Sequence, residues 1–482
     1  MSLSSALSIA QSALLTTSRQ TSVVTRNVSD ASNPDYSRRT ATVVSMAPGA
    51  RSVDIQRATN AQLFRQNLFA LSAWSGQATL SNGLDRLQLA VNGVDNAASA
   101  STAIGNLQNA LQLYATSPSN QNLGASVIDA SRQVVRSLTE GTNAIQAFRT
   151  DMDSQIANAV GQLNDLLVQF EGANKAIISG TRSGTDVSDA LDKRDALLKK
   201  IAEYVPVSTY TRGDNDMVIT TTDGTTLFET IPRSVSFTPS SGYSPTTTGA
   251  TVYIDNVPLS PGMGGLGEAA GKLAGFLQLR DGVASTMQSQ LDEIARGLID
   301  AFAEKAPPLA DMAGLFTWQG GPAVPTTLEP GLAGTISINA AVDPSQPGGN
   351  INLLRDGGIN GAAYVKNATG GASFSEMLIQ YGDRLDAPMI FSPAAGISAS
   401  SSVTEFSANA IGWFEGIRQQ ATALADTKEA LASRTAEALS NETGVNVDME
   451  MSLMLDLEHT YQASARLMST IDQMLNALLE AV

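Results

Sequence analysis

The sequence predicts a mainly α-helical, nested multi-domain protein with β-rich inserts: an antiparallel terminal coiled coil, a long-helix bundle and an outer β-rich domain. Three observations predict it. Heptad stripes occupy both ends of the chain, helical periodicity fills most of the middle, and that periodicity is broken twice by strand-like or loop-rich stretches. With 43% hydrophobic residues in 482, the chain is long enough to bury several cores.

At the N-terminus, Leu3, Leu7, Ala10, Leu14, Thr17, Thr21, Val24 and Val28 step by alternating four and three residues, which is a heptad seam. Ser, Thr and Gln fill 13 of the 24 positions from Ser2 to Thr25, and Arg19 is the only charge there, so the seam is weakly apolar. At the C-terminus, Leu453, Leu457, Thr460, Ser464, Leu467, Ile471, Met474 and Leu478 repeat the pattern. A second row, Met451, Met454, Tyr461, Ala465, Met468, Leu475 and Leu479, widens that stripe. Asp448 and Glu450 stand where a first helical turn favours acids. Residues 1–40 carry net charge +2 and residues 440–482 net −6, so the two ends attract each other. Paired as antiparallel helices, they place Leu3 near Leu478, Leu14 near Leu467 and Val24 near Leu457. They are expected to form one unit, 1–40 with 440–482.

Between the ends, helical spacing runs from about Ala58 to Ala202, broken at Pro118 and again at the Gly- and Ser-rich turn from Ser179 to Thr185. After Pro206 the period changes to that of strands. Met217-Val218-Ile219-Thr220 and Thr225-Thr226-Leu227-Phe228 flank Asp223-Gly224, a hairpin turn signal. Helical spacing returns through Leu273, Leu277, Met287, Ile294, Leu298 and Phe302, lapses over the Pro- and Gly-rich residues 306–400, and resumes from Val403. The expected bundle comprises 41–204, 265–305 and 401–439, and the expected outer inserts are 205–264 and 306–400.

Composition removes several chemistries. There is no cysteine and a single histidine, His459, so thiolate catalysis, Cys–His pairs and His-x-x-x-His metal sites are ruled out. No 18-residue apolar run suggests membrane insertion, and a net charge of −16 repels nucleic acid. Gly262-Met263-Gly264-Gly265-Leu266-Gly267 fits the Gly-x-Gly-x-x-Gly pattern formally, but Pro258 and Pro261 separate it from the short run Val252-Tyr253-Ile254. A dinucleotide site needs a buried strand directly before its glycines, so a hinge is expected instead. Arg212-Gly213-Asp214 reads as a polar turn before a hairpin. No catalytic residue, cofactor or metal is expected, and no enzyme.

The run Asn27-Val28-Ser29-Asp30-Ala31-Ser32-Asn33-Pro34-Asp35-Tyr36-Ser37-Arg38 resembles the Asn-Ile-Ala-Asn-x-x-Thr-Pro-Gly-Tyr signature of bacterial flagellar rod, hook and hook-associated proteins. Pro34 is expected to end the first helix and Tyr36 to pack back on it. Gly444 to Glu450, followed by Tyr461-Gln462-Ala463-Ser464-Ala465-Arg466, is similar to that group's C-terminal signature. Two internal stretches, Asp189 to Leu198 and Gly271 to Asp281, are similar to the hook-associated protein 1 family, which forms the hook–filament junction.

The resemblance implies a structural subunit, exported by the flagellar type III apparatus after a cytoplasmic chaperone has held its C-terminal region. It implies an extracellular position at the junction. The partners it implies are hook protein, hook-associated protein 3 and copies of the chain in a ring. Another axial protein, hook protein or hook-associated protein 3, is the alternative, and an adhesive role of the inserts stays open. The motif residues it singles out are Asn27, Pro34, Tyr36, Arg38, Tyr461, Ala463, Ala465 and Arg466. The coil residues expected to drive assembly are Leu3, Leu7, Leu14, Val24, Leu453, Leu457, Leu467, Ile471 and Leu478.

Overall fold

The computed structural model describes residues 3–46, 50–259 and 269–480. Helix α1 (Leu3–Ser29) leads into a hairpin of β1 (Arg39–Met46) and β2 (Ala50–Arg57), paired antiparallel from Arg39↔Arg57 to Met46↔Ala50. The hairpin precedes the helical spacing read from about Ala58, in residues divided between the expected coil and bundle units. Its β-branched Thr40, Thr42, Val43, Val44, Val53 and Ile55 favour the pleated form.

Helix α2 (Ala61–Val91) starts at Asn60, whose side chain accepts from the amides of Gln62 and Leu63. A break at Asn92–Ser99, absent from the sequence expectation, precedes α3 (Ala100–Thr116). There Gly93, Asp95 and Asn96 take positive φ, which suits glycine and short polar residues. The expected break at Pro118 does separate α3 from α4 (Gln121–Ser183). At 63 residues, α4 is about 95 Å long. It ends at Gly184 in the left-handed conformation, within the predicted Gly/Ser turn. Helix α5 (Ser188–Tyr204) follows.

The first insert holds two small antiparallel sheets, β3 (Val207–Thr211), β4 (Met217–Thr221) and β5 (Thr226–Phe228), then β6 (Val235–Ser236), β7 (Tyr253–Ile254) and β8 (Val257–Pro258). The β4–β5 turn is the predicted Asp223-Gly224 hairpin, with Gly224 at φ 93°. The Gly262–Gly267 motif lies outside the described residues. Helix α6 (Lys272–Leu277) continues through a π-helical turn, Gln278–Val283, into α7 (Ala284–Ala301).

The second insert is loop-rich as expected, but it contains more helix than its composition suggests. It carries β9 (Phe316–Thr317), α8 (Leu332–Thr335), β10 (Ser337–Ile338), α9 (Asn352–Asp356), α10 (Glu376–Leu385), β11 (Met389–Ile390) and β12 (Ser400–Ser401). Helices α11 (Val403–Thr443) and α12 (Val447–Glu480) complete the chain. Helix α11 runs antiparallel to α2, linked by Asn67–Thr435, Ser81–Thr422 and Asp85–Arg418.

The sequence places the inserts outside the bundle, and instead they share its cores. Ile104, Leu107, Val134, Leu298 and Phe302 of the helices are buried together with Phe316, Tyr381 and Phe391 of the second insert. Likewise Ile156, Leu163, Phe170 and Leu198 bury with Ile219, Phe228, Val235 and Ile254 of the first. Hydrophobic periodicity marks which side chains are buried without marking which segments they are buried against.

Buried acids on α7 and just after it stitch the second insert to the bundle by accepting backbone amides. Asp292 accepts from Gly331 and Ala333, Glu293 from Ser392, and Glu304 from Gly358, Ile359 and Asn360. In the first insert, Asp153 accepts from the Ser240 amide and pairs with the buried Arg280 of the π turn at 2.6 Å. Among the described residues, no helix is long and apolar enough to cross a membrane.

Candidate functional site

The site is built where the coil meets the bundle. Helix α1 ends at Ser29, five residues before Pro34, and a turn closed by Tyr36 N–H donating to the Asn33 carbonyl sends the chain back. This brings Tyr36 under the last turn of α1, where its hydroxyl donates to Asn27 Oδ1 at 2.8 Å. Burial is the main reason the Tyr36 phenol is pushed up to about 12, so it remains a donor.

Asn27 is fully buried and uses its whole amide. Its Oδ1 also accepts from the Arg39 amide at 3.1 Å, and its Nδ2 donates to the Arg39 carbonyl at 2.8 Å and to Glu450 Oε2 at 2.9 Å. Glu450, equally buried in the first turn of α12, takes its second partner from Arg38 Nε at 2.7 Å. Asn446 caps α12 by accepting from the Met449 amide. The two crossings between coil and bundle are themselves tied, since the Arg38 amide donates to the Thr443 carbonyl at 2.7 Å.

A row of charges extends this node onto α5. Asp189, Asp192 and Asp195 recur every three residues, so a helix aligns them along one side. Facing them are Arg39 and Arg57, partners at the base of the hairpin. Arg39 Nη2 donates to Asp189 at 2.5 Å and Asp192 at 3.0 Å, and Arg57 donates to Asp192 and Asp195 at 2.7 Å each. Burial works against the Arg39 charge, but the hydrogen bonds to Asp189 and Asp192 outweigh it and hold its pKa above the ordinary value. Lys199 and Asp35 close the edge at 2.9 Å. A cleft of about 700 Å³ lies beneath the turn, walled by Pro34, Phe64, Leu191, Arg194, Met217 and Leu439.

Of the motif residues, Asn27, Pro34, Tyr36 and Arg38 gather at this node or its cleft. Tyr461, Ala463 and Arg466 are instead exposed on α12, and Ala465 is half-buried. Sequence reasoning missed Arg39 and Arg57, and took Glu450 only as a first-turn acid. The signal was the Asp189, Asp192, Asp195 spacing: three like charges along one helix need cations from elsewhere. His459 is exposed on α12, and the described residues include no cluster of three or more potential metal ligands. Arg212 and Asp214 of the tripeptide turn are occupied in surface ion pairs with Asp216, Glu229 and Arg182.

The coil itself is antiparallel: Asn27 lies beside Glu450, and residues 18–29 share a groove with Met454, Glu458 and Tyr461. On α1 the predicted seam holds, with Ala10, Thr17 and Val24 buried and Leu7 and Leu14 half-buried. On α12 the seam is drawn from both predicted rows. Leu457 and Ile471 are buried and Met454, Ser464, Met468 and Leu475 half-buried, whereas Leu453, Leu467 and Met474 remain 38%, 53% and 52% exposed. The expected placing of Leu14 against Leu467 therefore gives way. Only one of two overlapping heptad rows can face a single partner helix. The side chains of Leu3 and Leu478 lie outside the described residues.

Residues 84–307 match the helical domain of the flagellar hook-associated protein FlgK, and residues 438–481 match the C-terminal region of the flagellar basal body rod FlgEFG proteins. The chain is 21% identical to flagellar hook-associated protein 1 of Bacillus subtilis (strain 168), over 99% of its own length and 96% of that protein. It is 26% identical to flagellar hook-associated protein 1 of Salmonella typhimurium, over 48% of its length and 43% of that protein. A solved flagellar hook junction protein FlgK from Burkholderia pseudomallei aligns with 53% of this chain and 46% of its own, at 19% identity and a TM-score of 0.44.

Proposed function

We propose that the chain is a member of the flagellar hook-associated protein 1 family and a junction subunit between hook and filament, whose terminal coil docks on neighbouring axial subunits. The observation that carries this reading is the unfilled heptad row of α12. Leu453, Thr460, Leu467 and Met474 recur every seven residues beside the filled seam, and all four are exposed. A helix with two heptad rows and one filled is suited to a further helix, as in coils of three or more strands.

Each large apolar side chain buried in such a contact contributes roughly 1.5 to 3 kcal/mol, so three per subunit are enough to drive assembly. The node around Asn27 and Glu450 fixes the coil's direction on the bundle, so that the open row is presented at one angle. The partners proposed for the coil are hook protein, hook-associated protein 3 and copies of this chain in a ring, outside the cell after type III export. Before export, the exposed C-terminal stripe would be covered by a cytoplasmic chaperone.

The test is a Leu453→Asp, Leu467→Asp double variant. Its expected behaviour is unchanged helical content and melting of the purified chain, with cells that build hooks but shed unpolymerised filament protein. Normal filaments on those cells would show that the row is not the assembly surface.

A further inference from the structure

We propose that the cleft beneath the Pro34 turn binds a single carboxylate carried on an apolar body, with Arg194 of α5 as its anchor. The ground for this is a buried charge that nothing in the fold answers. Six arginines are buried among the described residues. Arg39, Arg280, Arg296 and Arg355 each pair with a carboxylate, and Arg149 donates from all three of its side-chain nitrogens. Arg194, only 4% exposed, does neither. Its Nη1 donates to Asn174 Oδ1 at 3.0 Å and to the Asn215 carbonyl at 2.6 Å, while its buried Nε has no partner. Burial lowers the pKa of this guanidinium, against the more distant pull of Asp195 and Asp216. A buried cation without a counter-charge is costly, and a carboxylate seated beside it removes that cost.

Arg194 forms part of the cleft wall, together with the apolar Pro34, Phe64, Leu191 and Met217. The cleft's volume of about 700 Å³ is that of a site for a small organic ligand or a few residues of peptide. Its other cations are already matched, Arg57 by Asp195 and Lys199 by Asp35. Those two acids, with the exposed Glu437 of α11, make the cleft unfavourable to a multiply charged anion. One negative charge on an apolar body is the complement that remains. A free organic acid and a glutamate side chain of a partner protein present the same chemistry.

The purified full-length chain would be titrated with hexanoate, hexanamide and inorganic phosphate, and with the capped peptides acetyl-Leu-Glu-Leu-amide and acetyl-Leu-Gln-Leu-amide. Melting temperature is the readout, because a ligand of the native state raises it. The expected result is a saturable rise with hexanoate and with the glutamate peptide, none with either amide counterpart, and a smaller effect of phosphate. A lower half-saturating concentration for the glutamate peptide would assign the site to a partner's side chain, and a lower one for hexanoate to a free acid. Arg194→Met should abolish the rise. Should that variant not fold, Ala436→Trp, which fills the cleft from an exposed position on α11, should abolish it with Arg194 in place. Equal rises with the amides, a rise that survives either substitution, or no saturable rise with any carboxylate would overturn the proposal and leave Arg194 as a structural residue satisfied by water.

Discussion

Asn27 and Glu450 are 423 residues apart in sequence and 2.9 Å apart in space, each fully buried and each dependent on the other for a partner. Asn27→Ala would leave Glu450 with Arg38 alone and strand the Tyr36 hydroxyl. A cost of about 2 to 4 kcal/mol is expected from the unpaired buried groups. The loss should fall on the coil: amide exchange in α1 and α12 should accelerate, with the melting of the bundle unchanged. Equal acceleration throughout the chain would show that the node is not local to the coil.

Asp192 serves two arginines, so Asp192→Asn is expected to be severe. Removing the shared charge should cost about 1.5 to 3 kcal/mol, because Arg39 and Arg57 each lose a charge-assisted bond while keeping Asp189 and Asp195. Arg26→Ala, which breaks a 3.6 Å pair between exposed side chains, should cost under about 1 kcal/mol. Denaturant titration of both variants tests the contrast.

Burial pushes the Asp292 carboxyl up to about 6, against the bonds it accepts from Gly331, Ala333 and Gln288. Its folded pKa lies above its unfolded value, so the native state holds more protons between about pH 4 and 6. Stability from this group is present at pH 4 and lost as pH rises through 6, a change of about 3 kcal/mol. Denaturation of wild type and Asp292→Asn from pH 4 to 7 should show a loss of wild-type stability relative to the variant as pH rises. Parallel profiles would remove Asp292 as its source.

Two glycines should respond oppositely to alanine. Gly271 has φ +81°, and a Cβ there would collide with the Tyr204 carbonyl oxygen, so Gly271→Ala should destabilise by at least about 2 kcal/mol. Gly105, inside α3, has nothing within 4 Å of where a methyl would sit, so Gly105→Ala should stabilise by up to about 1 kcal/mol. Thermal melts would show both.

The terminal helices were legible because seven-residue spacing survives in a sequence with few charges. Ala10, Thr17 and Val24 fell in the predicted seam and are buried. Leu453 and Leu467 also fell in it and are exposed, since two rows offset by a residue or so look alike until the partner helix is in place. Tyr36 packing back on α1 was readable from the turn. The meeting of Asn27 with Glu450, and that of Arg39 with Asp189 and Asp192, was not, because nothing local records a pairing across 150 residues or more. The hairpin at Arg39–Arg57 escaped for a different reason: Val43 and Val44 are adjacent in β1, which breaks the alternation that marks a half-buried strand.

The shared core also imposes an order in time. Ile104, Leu107 and Val134 are buried against Leu298, Tyr381 and Phe406. A chain delivered N-terminus first therefore cannot close this core until Phe406, at the start of α11, has emerged. Until then α3 and the first half of α4 lack most of this core, and a helix short of tertiary contacts is marginal in water. The core around the first insert, complete by Leu277, can close earlier, so the two halves of the bundle set in succession.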